Sequence, residues 1–323
     1  MEFPYITVVM PLFNKKEFVK DCIKSVLLQQ YSNYEIIVVD DGSTDGGKEL
    51  IEYEFNDRVR LIEQSNEGPG AARNRGVDES KYELIAFIDA DDLWAPQHLE
   101  ELAYLFSKCS SAGLFSTRGE KLKNDLCRNF TGCTSSKWRY VDYALELSER
   151  SVIVHTSSVL VRRKVFYEVG GFKNFRPGQD VDLWLRIALK FPVVQSESIT
   201  SCHRLETGGI MDQSDLFGLN DPDFKPKRIS DINPLLGSIY NIRESYPIGS
   251  LEHAKLTVLI NSKLSTMIRI FLVNGQSEKA KYIGKLFLAD GSFEYYFLCF
   301  LLRLPDKWLS VLVNSARRLK AQL

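Results

Sequence analysis

Three polar clusters in the first third of the chain carry residue types that handle phosphates, ribose and divalent cations. Asp89-Ala90-Asp91-Asp92 packs its carboxylates at the end of an apolar run. Carboxylates held together repel unless a cation compensates them. A hard divalent ion, Mn²⁺ or Mg²⁺, suits oxygen ligands and bridges substrate phosphates. A solvated acidic loop or a helix cap is the competing interpretation. Asp40-Asp41-Gly42-Ser43-Thr44-Asp45-Gly46 offers carboxylates and hydroxyls to a base or ribose, with Ser43 or Asp45 able to cap the next helix. Gly42, Gly47 and Lys48 fit the spacing of a phosphate-binding P-loop, but Glu49 stands where that loop needs Ser or Thr. Asp45 would also put a negative charge in the cradle, so that match is rejected. The third cluster is Gly68-Pro-Gly-Ala-Ala-Arg-Asn-Arg-Gly76. Its small residues permit close approach, and Arg73 and Arg75 are fixed donors for a base carbonyl or a phosphate. Arg73 stands where a dinucleotide fingerprint needs its third glycine, which weakens that reading. A structural ion pair is the other use of Arg73.

The elements that position these clusters are legible around them. Apolar runs at Ile6–Met10, Glu35–Val39, Val59–Ile62 and Leu84–Ile88 read as strands. Phe18, Cys22, Val26 and Gln29 recur at helical spacing, with Ile23 and Leu27 beside them. Further helices are expected through Leu50 and Ile51 and through Gly70 to Glu79. Strands alternating with helices make an α/β fold with a sheet covered on both faces. Ligands of such sheets sit beyond the carboxyl ends of the strands, where the clusters at 40–46 and 89–92 both fall. Residues 93–150 give no clear pattern. Val152–Val161 is a further apolar run, Asp182–Leu189 reads as helix, and 277–289 as another. Leu256, Ile260, Leu264, Met267 and Phe271 form one helical stripe.

Composition excludes some classes. A net charge of -1 in 323 residues gives no global field for nucleic acid. The six cysteines show no C-x-x-C pair, which favours a reducing compartment. Met-Glu-Phe-Pro lacks the basic start and apolar core of a signal peptide, and no apolar run is long enough to span a bilayer. The expected location is cytoplasmic.

Pro11-Leu-Phe-Asn14, Asp40-Asp-Gly-Ser-Thr-Asp45, Gly70-Ala-Ala-Arg-Asn-Arg-Gly76 and Ile88-Asp-Ala-Asp-Asp92 resemble, in order and spacing, family 2 glycosyltransferases of GT-A fold, over roughly residues 4–210. The resemblance implies a mostly parallel mixed sheet between helices and transfer of a sugar with inversion. It implies that Pro11, Phe13, Asp40, Asp41 and Arg73 contact the nucleoside, that Asp89 binds ribose, and that Asp91 holds the Mn²⁺ or Mg²⁺ bridging the diphosphate. Gly178-Gln179-Asp180-Val-Asp182-Leu-Trp-Leu-Arg186 resembles the family's acidic motif and implies Asp180 as catalytic base. Gln179 departs from the usual Glu, and a helix cap is the structural use of Asp180. His203-Arg-Leu-Glu206 is the nearest equivalent of a later motif. There Arg204 would neutralise the leaving diphosphate, and Glu206 or His203 would complete the metal shell.

The expected organisation is a catalytic domain at 1–220, a Pro- and Asp-rich linker at 221–240 and a C-terminal helical region at 241–323. From Tyr295 onward basic residues interleave with apolar ones. This predicts either contact with an anionic membrane or a helical cap packed on the catalytic domain or on a second copy. The expected activity is addition of one sugar, from a UDP-sugar in preference to other nucleotide-diphosphate donors, to a glycan or lipid-linked glycan in bacterial cell-surface polysaccharide synthesis. The alternatives are a catalytically inactive scaffold, favoured by Gln179, and a nucleotidyltransferase, disfavoured because Pro11–Asn14 is not a basic glycine-rich loop.

Overall fold

The computed structural model describes residues 4–123, 127, 130–149, 154–205, 207, 229–273 and 276–286. Two compact units are formed, residues 1–143 with 152–213, and residues 144–151 with 214–323.

In the first unit, β1 (Ile6–Leu12), β2 (Tyr34–Asp40), β3 (Arg60–Glu63) and β4 (Leu84–Phe87) form a parallel set in the order β3-β2-β1-β4. The crossovers are α1 (Lys16–Leu27), α2 (Gly47–Phe55) and α3 (Pro69–Asp78). After β5 (Leu93–Trp94) and α4 (His98–Lys108) the sheet becomes mixed. It adds β6 (Leu114–Leu122), β7 (Trp138–Val141), β8 (Val159–Arg162) and β9 (Val193–Arg204). β8 is antiparallel to β4 and β6, β9 is parallel to β6, and β5 and β7 pair antiparallel to β9. β1 runs two residues beyond the expected Met10. Its pairing with β4 ends at Val9–Phe87, so Pro11 breaks no bond on that side.

Every residue of β1 is buried, as a parallel strand covered on both faces requires. Ile6, Val8, Met10, Ile36 and Val38 pack with Val19, Cys22, Ile23 and Val26 of α1, Ile51 and Phe55 of α2, and Leu99 and Leu102 of α4. The opposite face holds Ile37 and Val39 against Ala72 of α3. Gly76 lets α3 approach closely here, since a Cβ would lie 2.4 Å from Val9 Cγ1. Phe87 packs on this side against Phe166 of α6 (Arg163–Val169), Phe172, and Trp184 of α7 (Gln179–Ala188), after α5 (Tyr143–Glu149) earlier in the chain. The helices carrying Arg73 and Asp180 therefore share one layer.

His98 is fully buried, stacked on Trp94 at 4.3 Å, with Nδ1 2.8 Å from Thr200 Oγ1. Burial pushes its pKa down from 6.5 to about 3. The stability this neutral ring contributes is present above its unfolded pKa and lost as pH falls towards the folded value. Between about pH 6 and 4, the wild type should lose about 1.4 kcal/mol per pH unit more than His98→Asn. Denaturant midpoints across that range check this; equal slopes would show that the folded chain accepts the proton.

In the second unit the described helices are α5 from Ala144 onward, α8 (Ile229–Ile232), α9 (Pro234–Glu244), α10 (Leu251–Val273) and α11 (Ser277–Gly284). Of these, α8 and α9 begin inside the segment read as linker. Asn233 caps α9, its Oδ1 accepting from Leu235 N at 2.8 Å, with Pro234 at the first helical position. Of the expected stripe, Leu256, Ile260, Leu264 and Phe271 are buried along α10, while Met267 is half-buried. No helix among the described residues is long and apolar enough to cross a membrane. The basic segment from Tyr295 onward lies outside the described residues.

Candidate active site

The carboxyl ends of β1, β2 and β4 converge, and backbone bonds fix them there. Asp41 N donates to Leu12 O at 2.8 Å, and Ile88 N to Val9 O at 3.1 Å. Asn14 takes a left-handed conformation, φ 51°, that Asn tolerates better than most residues. Its side chain accepts from Thr44 N at 2.8 Å, joining the β1 and β2 loops. Asp45 serves two helices, accepting from Lys16 N at 2.8 Å and Gly47 N at 2.9 Å. Pro11 is buried, while Phe13 stands 44% exposed beside it.

The two aspartates at the end of β2 differ. Asp40 accepts from Ser43 N at 3.3 Å. Asp41 is buried and holds the glycine loop, accepting from Gln64 Nε2 at 2.8 Å, Glu67 N at 2.9 Å and Gly68 N at 2.8 Å. Gly68 and Gly70 in turn form the floor for the start of α7 and the segment before it. A Cβ on either would collide with Arg176 or Gln179. Gln179, the departure from the family motif, is thus buried against Gly70.

Asp89 and Asp91 each meet a cation from the protein itself, and Asp92 meets the ring of His203. Arg73 of α3 binds Asp89 through Nη2, with its guanidinium 5.3 Å over the Phe172 ring. Arg75 is exposed and pairs with Glu79 instead. Lys15 Nζ lies 2.7 Å from Asp91 Oδ2 and donates to Thr207 O at 2.8 Å, and Thr207 Oγ1 donates to Asp91 at 2.7 Å. Burial alone would raise the Asp91 carboxyl; the Lys15 ammonium and Thr207 override it and hold the group below the usual range. Asp92 is buried, bound by Ser157 Oγ and by Arg204 N at 3.1 Å, with His203 Nδ1 at 3.2 Å. Burial raises its pKa despite the pull of His203. Asp92 therefore ties β9 to the acidic turn. The repulsion that argued for a metal from sequence is relieved by Arg73 on Asp89 and Lys15 on Asp91.

Asp180 lies in the first turn of α7, where helical N–H groups favour negative charge. Its Oδ1 accepts from Val181 N at 2.9 Å and its Oδ2 from Thr156 Oγ1 at 3.3 Å. The next residue, Ser157, donates to Asp92 and accepts from Asp89 N at 3.0 Å. One dipeptide thus holds Asp180 and the acidic turn together. His155 just before it stacks on His203, ring centroids 5.4 Å apart, and burial pushes its pKa down to about 4.

Arg204 is buried, its guanidinium 5.0 Å over the Phe18 ring and Nη2 3.9 Å from Asp21. The cation facing Asp91 is Lys15, and the ring of His203 faces Asp92. Glu206 lies outside the described residues. Sequence reading did not single out Lys15, Thr156, Ser157 or Thr207. Lys15 directly follows the Pro11–Asn14 motif, the one available signal; the others are common residues that only folding brings to the carboxylates.

Asp91 is an oxygen donor of the kind Mn²⁺ or Mg²⁺ takes. Among the described residues no group of three or more metal-ligating side chains exists. That donor set fits an ion completed by substrate phosphates rather than an all-protein cage.

The Glycosyl transferase family 2 profile matches residues 7–170, half of the chain. The putative teichuronic acid biosynthesis glycosyltransferase TuaG of Bacillus subtilis is 28% identical over 192 residues, 58% of this chain and 73% of TuaG. The putative glycosyltransferase EpsH of the same organism is 30% identical over 138 residues, 40% of each. The chain spans well under half the length of several relatives, 27% in the case of an uncharacterized glycosyltransferase of Rickettsia bellii. Among solved structures, S. aureus TarS 1–349 in complex with UDP-GlcNAc has a TM-score of 0.69 at 15% identity, over 98% of this chain and 92% of that one. The mannosyltransferase PcManGT of Pyrobaculum calidifontis, in complex with GDP-Man and Mn²⁺, has a TM-score of 0.55 at 16% identity, over 97% of this chain and 85% of that one. The fold is GT-A-like, and the chain belongs to glycosyl transferase family 2.

Proposed function

We propose that the chain transfers one sugar, with inversion, from a nucleotide-diphosphate donor to a hydroxyl of a glycan or lipid-linked glycan. A UDP-sugar is favoured, since TarS is solved with UDP-GlcNAc. Cell-surface polysaccharide synthesis is favoured by the printed role of TuaG. The observation that carries the reading is the Thr156-Ser157 dipeptide, which sets a carboxylate at a helix N-terminus beside the acidic strand end.

In this reading the loop ends of β1 and β2, with Pro11, Phe13, Asp40 and Asp41, hold the nucleoside. Asp41 Oδ2 accepts one bond, from Gly68 N, and a carboxylate oxygen can accept two. Arg73 orients Asp89 towards the ribose. Asp91 holds Mn²⁺ or Mg²⁺, which when bound neutralises the charge of the diphosphate. Asp180 accepts the proton of the acceptor hydroxyl as that oxygen attacks the anomeric carbon. Attack opposite the leaving diphosphate inverts the centre. Arg204, buried under Phe18, serves by placing its backbone N–H on Asp92.

The test is release of nucleoside diphosphate from a panel of nucleotide sugars, with Mn²⁺ or with EDTA. Metal-dependent release from one donor, lost in Asp91→Ala, is the expected result. Silence across the panel, with no donor binding by calorimetry, would favour the scaffold reading.

A further inference from the structure

Resting on the donor reading above, we propose that Lys15 is a resident stand-in cation at Asp91. Without nucleotide its ammonium occupies the space of a divalent ion, and the ion gains the site only together with a diphosphate. Lys15 is held at both ends of this contact, by Asp91 at 2.7 Å and by Thr207 O at 2.8 Å. Thr207 closes the group by donating to Asp91. Both charged side chains are largely sheltered, 17% and 14% exposed, so water screens their attraction weakly.

An ammonium at hydrogen-bond distance and an ion at about 2.1 Å cannot share one face of a carboxylate. One or two carboxylates are a poor shell for Mn²⁺ or Mg²⁺, which give up water reluctantly. The protein ammonium therefore keeps the site while the ion has little beyond Asp91 to gain. A diphosphate adds oxygen ligands and reverses the balance. Lysine is a point charge on a flexible stem, and the displaced ammonium then lies beside the diphosphate it can neutralise. Ordered binding follows: nucleotide and metal arrive as a pair, and free metal is refused.

Mn²⁺ binding read by electron paramagnetic resonance tests this without turnover. Wild type, Lys15→Met, Lys15→Arg and Lys15→Met/Asp91→Asn would each be titrated with and without UDP. Nucleotide-free Lys15→Met should bind Mn²⁺ at least about 10-fold more tightly than wild type, because the capped state no longer competes. Lys15→Arg, which keeps the charge, should match wild type, and Asp91→Asn should erase the gain. Unchanged nucleotide-free affinity in Lys15→Met, or a gain that survives Asp91→Asn, overturns the proposal. A wild type that ignores Mn²⁺ even with UDP sinks the donor reading instead, and the nucleotide-free comparison still decides the role of Lys15.

Discussion

Asp180→Asn is expected to lower kcat by about 10²–10⁴-fold, the usual cost of removing a general base. Donor binding should change little, because Asp180 sits on α7 while the nucleoside side is built from the β1, β2 and α3 loops. The substitution is nearly isosteric. An amide oxygen still accepts from Thr156 Oγ1 or Val181 N, so the helix start and its hold on the 156–157 segment survive. What disappears is the capacity to take a proton. Thr156→Ala should cost less, because it loosens the carboxylate without removing it. Single-turnover rates with donor affinity measured in parallel separate the two effects. Near-full turnover in Asp180→Asn would reduce Asp180 to a helix cap.

Asp182→Ala is expected to destabilise the first unit by about 3–5 kcal/mol, the cost of leaving a buried charge without its partner. Asp182 is fully buried and Arg186 nearly so. Arg186 donates to Asp182 through Nε at 2.8 Å, and also to Val169 O and to Gly171 O at 2.6 Å. The pair thereby pins the end of α6 to α7. Removing the carboxylate strands a guanidinium in a low-dielectric setting with only carbonyl partners. At about 2–4 °C per kcal/mol for a unit of this size, Tm should fall by about 10 °C. Asp182→Leu/Arg186→Met should recover part of the loss, since burying apolar groups of similar volume avoids the desolvation penalty. A double-mutant cycle by thermal melts measures the coupling; additive losses would show that the two side chains act independently.

The centre of the parallel half was legible because β1, β2 and β4, largely buried on both faces, are continuous apolar runs, and because Phe18, Cys22 and Val26 fall on one helical stripe. Gln29 belonged to that pattern but lies past the end of α1. Its amide there bridges Ala95 O and Leu99 N. The second half was hidden for physical reasons. β5 has two residues. β9 is rich in Ser and Thr yet mostly buried, its polar groups met internally, as where Ser196 Oγ donates to Glu101 at 2.6 Å. Strand-like composition and strand burial part company there.

By itself the sequence determined the strand-end carboxylates, the glycine loop with Arg73, and Asp180 at a helix start, because each motif is contiguous and its chemistry is local. Only the tertiary structure decided which of these groups face one another. It placed Asp92 inside as a tie to β9, set Lys15 and Thr207 on Asp91, and joined Asp180 to the acidic turn through Thr156 and Ser157. Those partners are separated from their carboxylates by between 24 and 116 positions, and no local pattern encodes contacts of that span. Charge compensation is a property of neighbours in space, which the chain acquires only when the sheet and the helices on its two faces have packed.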